Sequence, residues 1–224
     1  MTATLLLTRP EAQSRAFSKP FEDVADLVIA PVMDIVGTGA LPALTEYRGV
    51  ILTSANALRF VPRLQGVPAW CVGARTAEAA RAHGADIMRV ADDAESLLTG
   101  FDGAGPLLHI RGEHARGNVA ERLTSSGIET HEVVIYRQEE RKLTDRARAL
   151  IQGEDEVILP LFSPRSAALV GSQVVRVGPG LVVIAMSPAV AEAWHEATGA
   201  EAVEVCARPT SEEMRNRVAR RLRG

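Results

Sequence analysis

At 224 residues and a net charge of −3, the chain offers no overall basic surface for nucleic acid or an anionic membrane, so any anionic ligand must be met locally. Its 46% hydrophobic and 24% charged content is that of an ordinary globular protein, and no apolar run reaches the roughly 18 residues of a membrane span. The start of the chain lacks a charged region followed by a long apolar one, so we expect a cytoplasmic protein with no membrane or nucleic-acid partner.

Residues 4–8 are an apolar strand, Arg9-Pro10 a turn with proline at a helix start, and 11–21 an amphipathic helix. A strand follows at 25–30, and residues 31–43 carry Pro, Gly and Thr without periodicity, which marks a linker or crossing. Alternation then becomes regular: strand 49–53, helix 55–64, strand 69–72, helix 74–83, strand 86–90 and a short helix at 95–99. Strands that alternate with helices mean a parallel sheet covered on both faces.

Beyond these come strand 106–110, a helix over 114–126 ended by Gly127, and an extended run over 129–137 with Tyr136 near its end. A helix at 144–152 leads into strand 157–161, where Pro160 should lie at the strand's end because it cannot donate to a ladder. Ser163-Pro164 opens the next helix as N-cap and first helical residue. Strands at 181–185 and 202–206 and a helix from Thr210 or Ser211 complete the chain.

The stretch 70–85, A-W-C-V-G-A-R-T-A-E-A-A-R-A-H-G-A with its flanking alanine, returns at 183–200 as V-I-A-M-S-P-A-V-A-E-A-W-H-E-A-T-G-A. Its neighbours return too. Val50-Ile51-Leu52 is echoed by Val157-Ile158-Leu159, and Leu6 to Glu11 by Leu108 to Glu113. A repeat of this size is a duplicated domain rather than a solenoid, so two similar lobes of about 100 residues each are expected.

In parallel sheets of this kind ligands bind beyond the carboxyl ends of the strands, where helix N-termini point their N–H groups. Those turns are short, small and hydroxylic: Thr8-Arg9-Pro10, Thr53 to Asn56, Val72-Gly73-Ala74, Ile110-Arg111-Gly112, Phe162 to Arg165 and Met186-Ser187-Pro188. Each is suited to carboxylates or phosphates, although each Ser or Thr is also an ordinary cap. No nucleophile elbow, phosphate-binding loop, dinucleotide fingerprint or paired-cysteine motif is present.

Cys71 and Cys206 are read as small buried hydrophobes that stay reduced. Only His109 and His114 are close among the five histidines, and without a third ligand they are structural or surface residues. The arginines from Arg215 to Arg223 face away from the apolar stripe Met214, Val218 and Leu222, which describes a solvated helix face.

Thr8-Arg9-Pro10, Leu52 to Ala57, Val72-Gly73 with Thr76-Ala77, Ile110-Arg111-Gly112, Tyr136-Arg137 and Phe162-Ser163, in this order, resemble uroporphyrinogen-III synthase. The resemblance implies two flavodoxin-like parallel-sheet lobes joined by a two-strand linker. Lobe 1 would hold 1–30 and 142–224, lobe 2 would hold 38–128, and 31–37 and 129–141 would be the crossings. It implies a lyase without metal or organic cofactor, a monomer, that cyclises hydroxymethylbilane received from hydroxymethylbilane synthase.

Carried over to this chain, the resemblance makes Tyr136 the acid that helps hydroxide leave. It makes Arg9, Ser54, Asn56, Gly73, Thr76, Arg111, Ser163, Arg165 and Ser187 the substrate-binding set. One departure stands out: where the family reads Gly-x-Thr-Thr-Ala in the second copy, this chain has Ser187-Pro188-Ala189-Val190-Ala191. A threonine hydroxyl is lost there and the turn amides remain. The rival expectation is a non-catalytic bilobal binding or regulatory protein of the same fold.

Overall fold

The computed structural model describes residues 3–115 and 117–223. In chain order its strands are β1 (Thr4–Leu7), β2 (Asp26–Ile29), β3 (Met33–Gly37), β4 (Gly49–Leu52), β5 (Pro68–Val72), β6 (Asp86–Ala91), β7 (Leu107–Gly112), β8 (Thr130–Glu140), β9 (Val157–Leu161), β10 (Leu181–Ala185) and β11 (Val203–Val205). The helices are α1 (Glu11–Ser18), α2 (Ala74–Ala82), α3 (Ala94–Leu98), α4 (Val119–Ser125), α5 (Asp145–Gln152), α6 (Pro164–Gly171), α7 (Pro188–Thr198) and α8 (Ser211–Arg221). Two compact units result, Met1–Asp34 with Glu139–Gly224, and Ile35–Gln138. The chain passes from one to the other within β3 and within β8.

One sheet has the order β11-β10-β9-β1-β2, the other β3-β8-β7-β4-β5-β6. In the first, β1 runs parallel to β2 and β9, and β10 parallel to β9 and β11. In the second, β4 runs parallel to β5 and β7, β5 to β6, and β7 to β8. Parallel strands need crossover connections, and the helices supply them.

The strands read as continuous apolar runs because both faces are buried. On β1, Leu6 faces a core shared with Leu159, Val183, Val190 and Trp194, whereas Leu5 and Leu7 face Phe17, Ile184, Met214 and Val218. The Ile35–Gln138 unit repeats the scheme. Val50 and Leu52 pack with Ala77, Ala80 and Leu108, and Ile51 between them packs with Trp70, Leu97 and Leu123 on the other face.

The sequence echoes fall on equivalent strands. β4, β5 and β7 are echoed by β9, β10 and β1, and the two sheets place them alike: β6-β5-β4-β7-β8 against β11-β10-β9-β1-β2. The copies differ in where the chain enters. Numbered along the chain, the first unit has the order 2-1-3-4-5 and the second, β3 aside, 3-2-1-4-5.

The segment 31–43 does hold a crossing, and its residues 33–37 form β3 beside β8, so the two crossing segments are paired strands as the two-strand linker of the resemblance requires. Several local expectations are corrected. The helix expected over 55–64 is a 3-10 turn, Ala55–Arg59, because Pro62 has no N–H to continue a helix and disfavours helical backbone at Val61. The helix over 11–21 stops at Ser18 and gives way to a 3-10 turn around Pro20. The helix expected from 114 begins only at Val119, after Gly117 and Asn118 take left-handed φ values of 90° and 44°.

Pro160 is the penultimate residue of β9, one place inside the end. The Val157 N–H and the Leu161 carbonyl both bond toward β10, so Pro160, facing the opposite side, points its missing donor toward β1. The β1 ladder has already ended at Ile158.

Candidate functional site

The order of each sheet reverses direction at one pair of strands, β1 with β9 and β4 with β7, and crevices for ligands open at the carboxyl ends of such pairs. In the first unit these ends carry Arg9 and Ser163. The Arg9 guanidinium carbon lies 4.0 Å from the centroid of the Phe162 ring, and Nη2 donates to Gln13 Oε1 at 2.9 Å. Stacking on an aromatic face holds the charge at the strand end without removing it.

Ser163 is committed to its helix: its Oγ accepts from the Ser166 N–H at 3.2 Å and pairs with Ser166 Oγ at 2.9 Å. Arg165, two residues on, approaches Glu140 at 3.6 Å. At the end of β10, Ser187 begins α7 without any side-chain capping bond. Pro188 has no N–H and the Val190 and Ala191 amides donate to the Ser187 carbonyl, so what stays available at that end of the sheet is the Ser187 hydroxyl and the Ala189 amide.

In the Ile35–Gln138 unit, Ser54 Oγ accepts from the Asn56 N–H at 3.3 Å and closes the turn after β4. After β5, Gly73 holds φ at 83°, which suits glycine, and begins α2 with no side chain to cap its amides. Thr76, in the first turn of α2, is 6% exposed and gives its backbone N–H to the Gly73 carbonyl at 3.0 Å. Ser54, Asn56, Gly73 and Thr76 thus share the carboxyl edge of two adjacent strands.

Arg111 is occupied. Its Nε and Nη2 make a fork with Glu132 at 3.0 and 2.6 Å, and Nη1 donates to the carbonyls of Gly112 and Glu113 at 3.0 and 3.1 Å. The Glu132 carboxyl is lowered below its ordinary value by the hydrogen bond from Arg111. Arg111 shapes the turn after β7, and most of its donors are already taken.

Tyr136 is paired with Gly112 in the β7–β8 ladder. Its ring is 6% exposed, stacks on Phe60 with centroids 6.1 Å apart, and lies against Gly112, where a Cβ would come within 2.8 Å of the phenol oxygen. The hydroxyl therefore stands at the carboxyl end of β7, next to the β4 turn.

The sequence reading missed what His109 does. It is 1% exposed in the middle of β7, and its Nε2 lies 3.2 Å from Thr53 Oγ1 at the end of β4. Burial lowers its pKa from 6.5 to about 4, so the ring is neutral near pH 7. A single polar residue in the apolar run Leu107-Leu108-His109-Ile110 was the available signal. His109 also floors a cavity of about 540 Å³ beside α4, walled by Arg111, Glu113, Glu121 and Glu132. Those carboxylates outnumber the guanidinium, so that cavity does not suit a polycarboxylate.

Cys71 and Cys206 are buried and unpaired, Cys71 within β5 and Cys206 just beyond β11. Among the described residues no cluster of His, Cys, Asp or Glu has the makings of a metal site, and no helix is long and apolar enough to cross a membrane.

A family model described as Uroporphyrinogen-III synthase HemD matches residues 22–216. Among solved structures, the chain is similar to uroporphyrinogen-III synthetase from Helicobacter pylori, with a TM-score of 0.67 and 16% identity over 98% of this chain and 99% of that one. It is also similar to a mutant uroporphyrinogen III synthase from the extremely thermophilic bacterium Thermus thermophilus, with a TM-score of 0.53 and 16% identity over 98% of both chains. At these identities the likeness establishes the fold. No curated protein sequence matches the chain.

Proposed function

The chain belongs to the uroporphyrinogen-III synthase family, and from that premise we propose that it cyclises hydroxymethylbilane with inversion of ring D. Each unit is read as a flavodoxin-like lobe, and the protein as a cytoplasmic monomer that takes its substrate from hydroxymethylbilane synthase. What supports the reading most is one edge of the Ile35–Gln138 unit, where the turns of Ser54, Gly73 and Gly112 and the Tyr136 phenol stand at the ends of adjacent parallel strands.

The chemistry asks for orientation more than for a nucleophile. The substrate's terminal hydroxyl takes a proton and leaves as water, which generates an azafulvene cation. The substituted carbon of ring D attacks that cation and forms a spiro intermediate. Fragmentation frees ring D, which recloses inverted with loss of a proton, so the net change is loss of water. Left alone, the chain closes to the symmetric isomer. Turn amides that grip the substrate carboxylates hold the competing geometry instead.

In this scheme Tyr136 gives the proton to the departing hydroxyl and recovers one at closure. Arg9, Asn56, Thr76, Ser187 and the amides beside Ser54, Gly73 and Ser163 bind carboxylates. Arg111 braces the turn after β7, and Arg165 stands in the first turn of α6 beside Glu140. The test is to incubate the protein with hydroxymethylbilane, oxidise the products and separate the isomers by chromatography. Enrichment of the inverted isomer is expected; symmetric product alone, at the rate seen in buffer, refutes the synthase reading and leaves a binding protein. Tyr136→Phe should lose at least about tenfold in turnover, a floor set below the about 10²–10⁴-fold that general acid catalysis typically contributes.

A further inference from the structure

The contact between His109 and Thr53 joins two strands that form the reversal point of their sheet, at the residue where β4 becomes its turn. A neutral imidazole has one N–H, and its position fixes what the threonine does. If the proton were on Nδ1, a buried donor would have no partner, since Nδ1 has none among the described residues. Buried N–H groups left unpaired are rarer and costlier than lone pairs left unpaired. The proton therefore sits on Nε2 and is donated to Thr53 Oγ1.

We infer that His109 is a positioning residue that makes Thr53 a substrate-binding hydroxyl. An Oγ1 that accepts from His109 keeps its own proton for donation. Thr53 is half-buried, one residue past the end of β4, and adjoins the Ser54 turn that caps onto Asn56. That proton is offered at the sheet edge to a carboxylate. A protonated imidazole would give the same bond, but burial keeps the ring neutral, so the arrangement adds a donor without adding a buried charge beside the partly exposed Arg111 and Glu132. The inference rests on the synthase reading, because it assigns Thr53 to a polycarboxylate substrate.

Four variants and one spectrum test it. Thr53→Val keeps the shape and removes the hydroxyl, Thr53→Ser keeps the hydroxyl, His109→Leu removes the donor, and His109→Gln restores one through its amide. Loss of one hydrogen bond to a charged group should raise the KM for hydroxymethylbilane about tenfold in Thr53→Val and His109→Leu, with kcat changed less. Thr53→Ser and His109→Gln should stay within about threefold of wild type, and the Thr53→Val/His109→Leu pair should be no worse than either alone.

A purely structural role predicts the opposite pattern: a lower melting temperature in His109→Leu and Thr53→Val with KM unchanged. That result overturns the inference. Nitrogen-15 spectra of the wild-type protein at pH 7 should show His109 with its proton on Nε2, and an Nδ1–H tautomer or an imidazolium would also overturn it. The spectrum decides even if His109→Leu does not fold. Should the wild type yield no inverted isomer, the synthase reading fails by itself. Titration of wild type and Thr53→Val with uroporphyrin then still reads the carboxylate contact, and equal affinities would refute it.

Discussion

Gly112→Ala sets one methyl group against the ring of Tyr136, and the structure allows the cost to be worked through. The new Cβ would lie 2.5 Å from Cε2 and from Cζ of the ring and 2.8 Å from the phenol oxygen. The backbone itself accepts alanine, because Gly112 is not among the glycines with positive φ. The ring has little room to retreat: it is 6% exposed and stacked on Phe60 at 19° between planes. Overpacking of this kind costs about 1–3 kcal/mol. At roughly 4 °C per kcal/mol, that is a fall in melting temperature of roughly 4–12 °C.

Thermal unfolding of wild type, Gly112→Ala, Tyr136→Leu and the double variant separates the clash from other effects. If the ring is what the methyl meets, removing it relieves the strain, and the double variant should be at least about 1 kcal/mol more stable than the sum of the singles predicts. Additive losses, or a Gly112→Ala melting curve that matches wild type, would refute the packing described here. Because the hydroxyl moves with the ring, turnover should fall in Gly112→Ala as well, with enrichment of the inverted isomer reduced.

His109 makes stability depend on acid in a defined window. Its folded pKa is depressed to about 4 from 6.5, so between those values the unfolded chain holds a proton that the folded one does not. Its contribution is therefore fully present above pH 6.5 and is lost as pH falls toward 4, by about 3 kcal/mol in all. Arg111, Glu132, Glu113 and Glu121 line the same cavity as the ring, so the quantity to measure is the difference between wild type and His109→Gln in urea unfolding. A difference that stays flat from pH 7 to 4 would contradict the burial argument. Val190→Thr, which puts back the hydroxyl seen in the family pattern, enters a core position 1% exposed and should destabilise by about 1–3 kcal/mol while leaving turnover within about twofold. A severalfold gain in turnover at unchanged stability would show that the hydroxyl reaches substrate after all.

The parallel α/β class and the duplication were legible in the sequence because doubly buried strands spell themselves as unbroken apolar runs, as in Val50-Ile51-Leu52 and Val157-Ile158-Leu159. β3 was not legible. It lies among Pro31, Gly37 and Gly39, and its neighbour in the sheet, β8, comes about 100 residues later, so local pattern and tertiary pairing pointed different ways. The helix expected over 55–64 and the helix start expected at 114 failed for a related reason: proline and left-handed backbone overruled an apolar spacing that looked helical.

At the site, the turns were readable from their hydroxyls and glycines, but the roles of the side chains were not. Thr53 meets His109 only through the β4–β7 register, and Arg111 is taken up by Glu132 from the next strand. Both partnerships span strands far apart in sequence, and spacing along one strand carries no trace of them.

The two copies also explain how the side chains at the strand ends can differ so much. Gly73 and Thr76 in one copy stand where Ser187 and Val190 stand in the other, and the first copy enters its helix at φ 83° while the second does so from extended backbone at −155°. Arg9 lies over an aromatic ring, whereas its counterpart Arg111 is clasped by a carboxylate and two carbonyls. What both copies retain is a helix N-terminus at the carboxyl end of a parallel strand, whose donors belong to the backbone and not to any side chain. A polycarboxylate held by such donors loses little when a hydroxyl already spent on its own turn changes, as at Ser54 and Ser163. Side chains that fix where the donors point, as His109 does for Thr53 and Arg111 for its turn, then matter more than those that merely add one more contact.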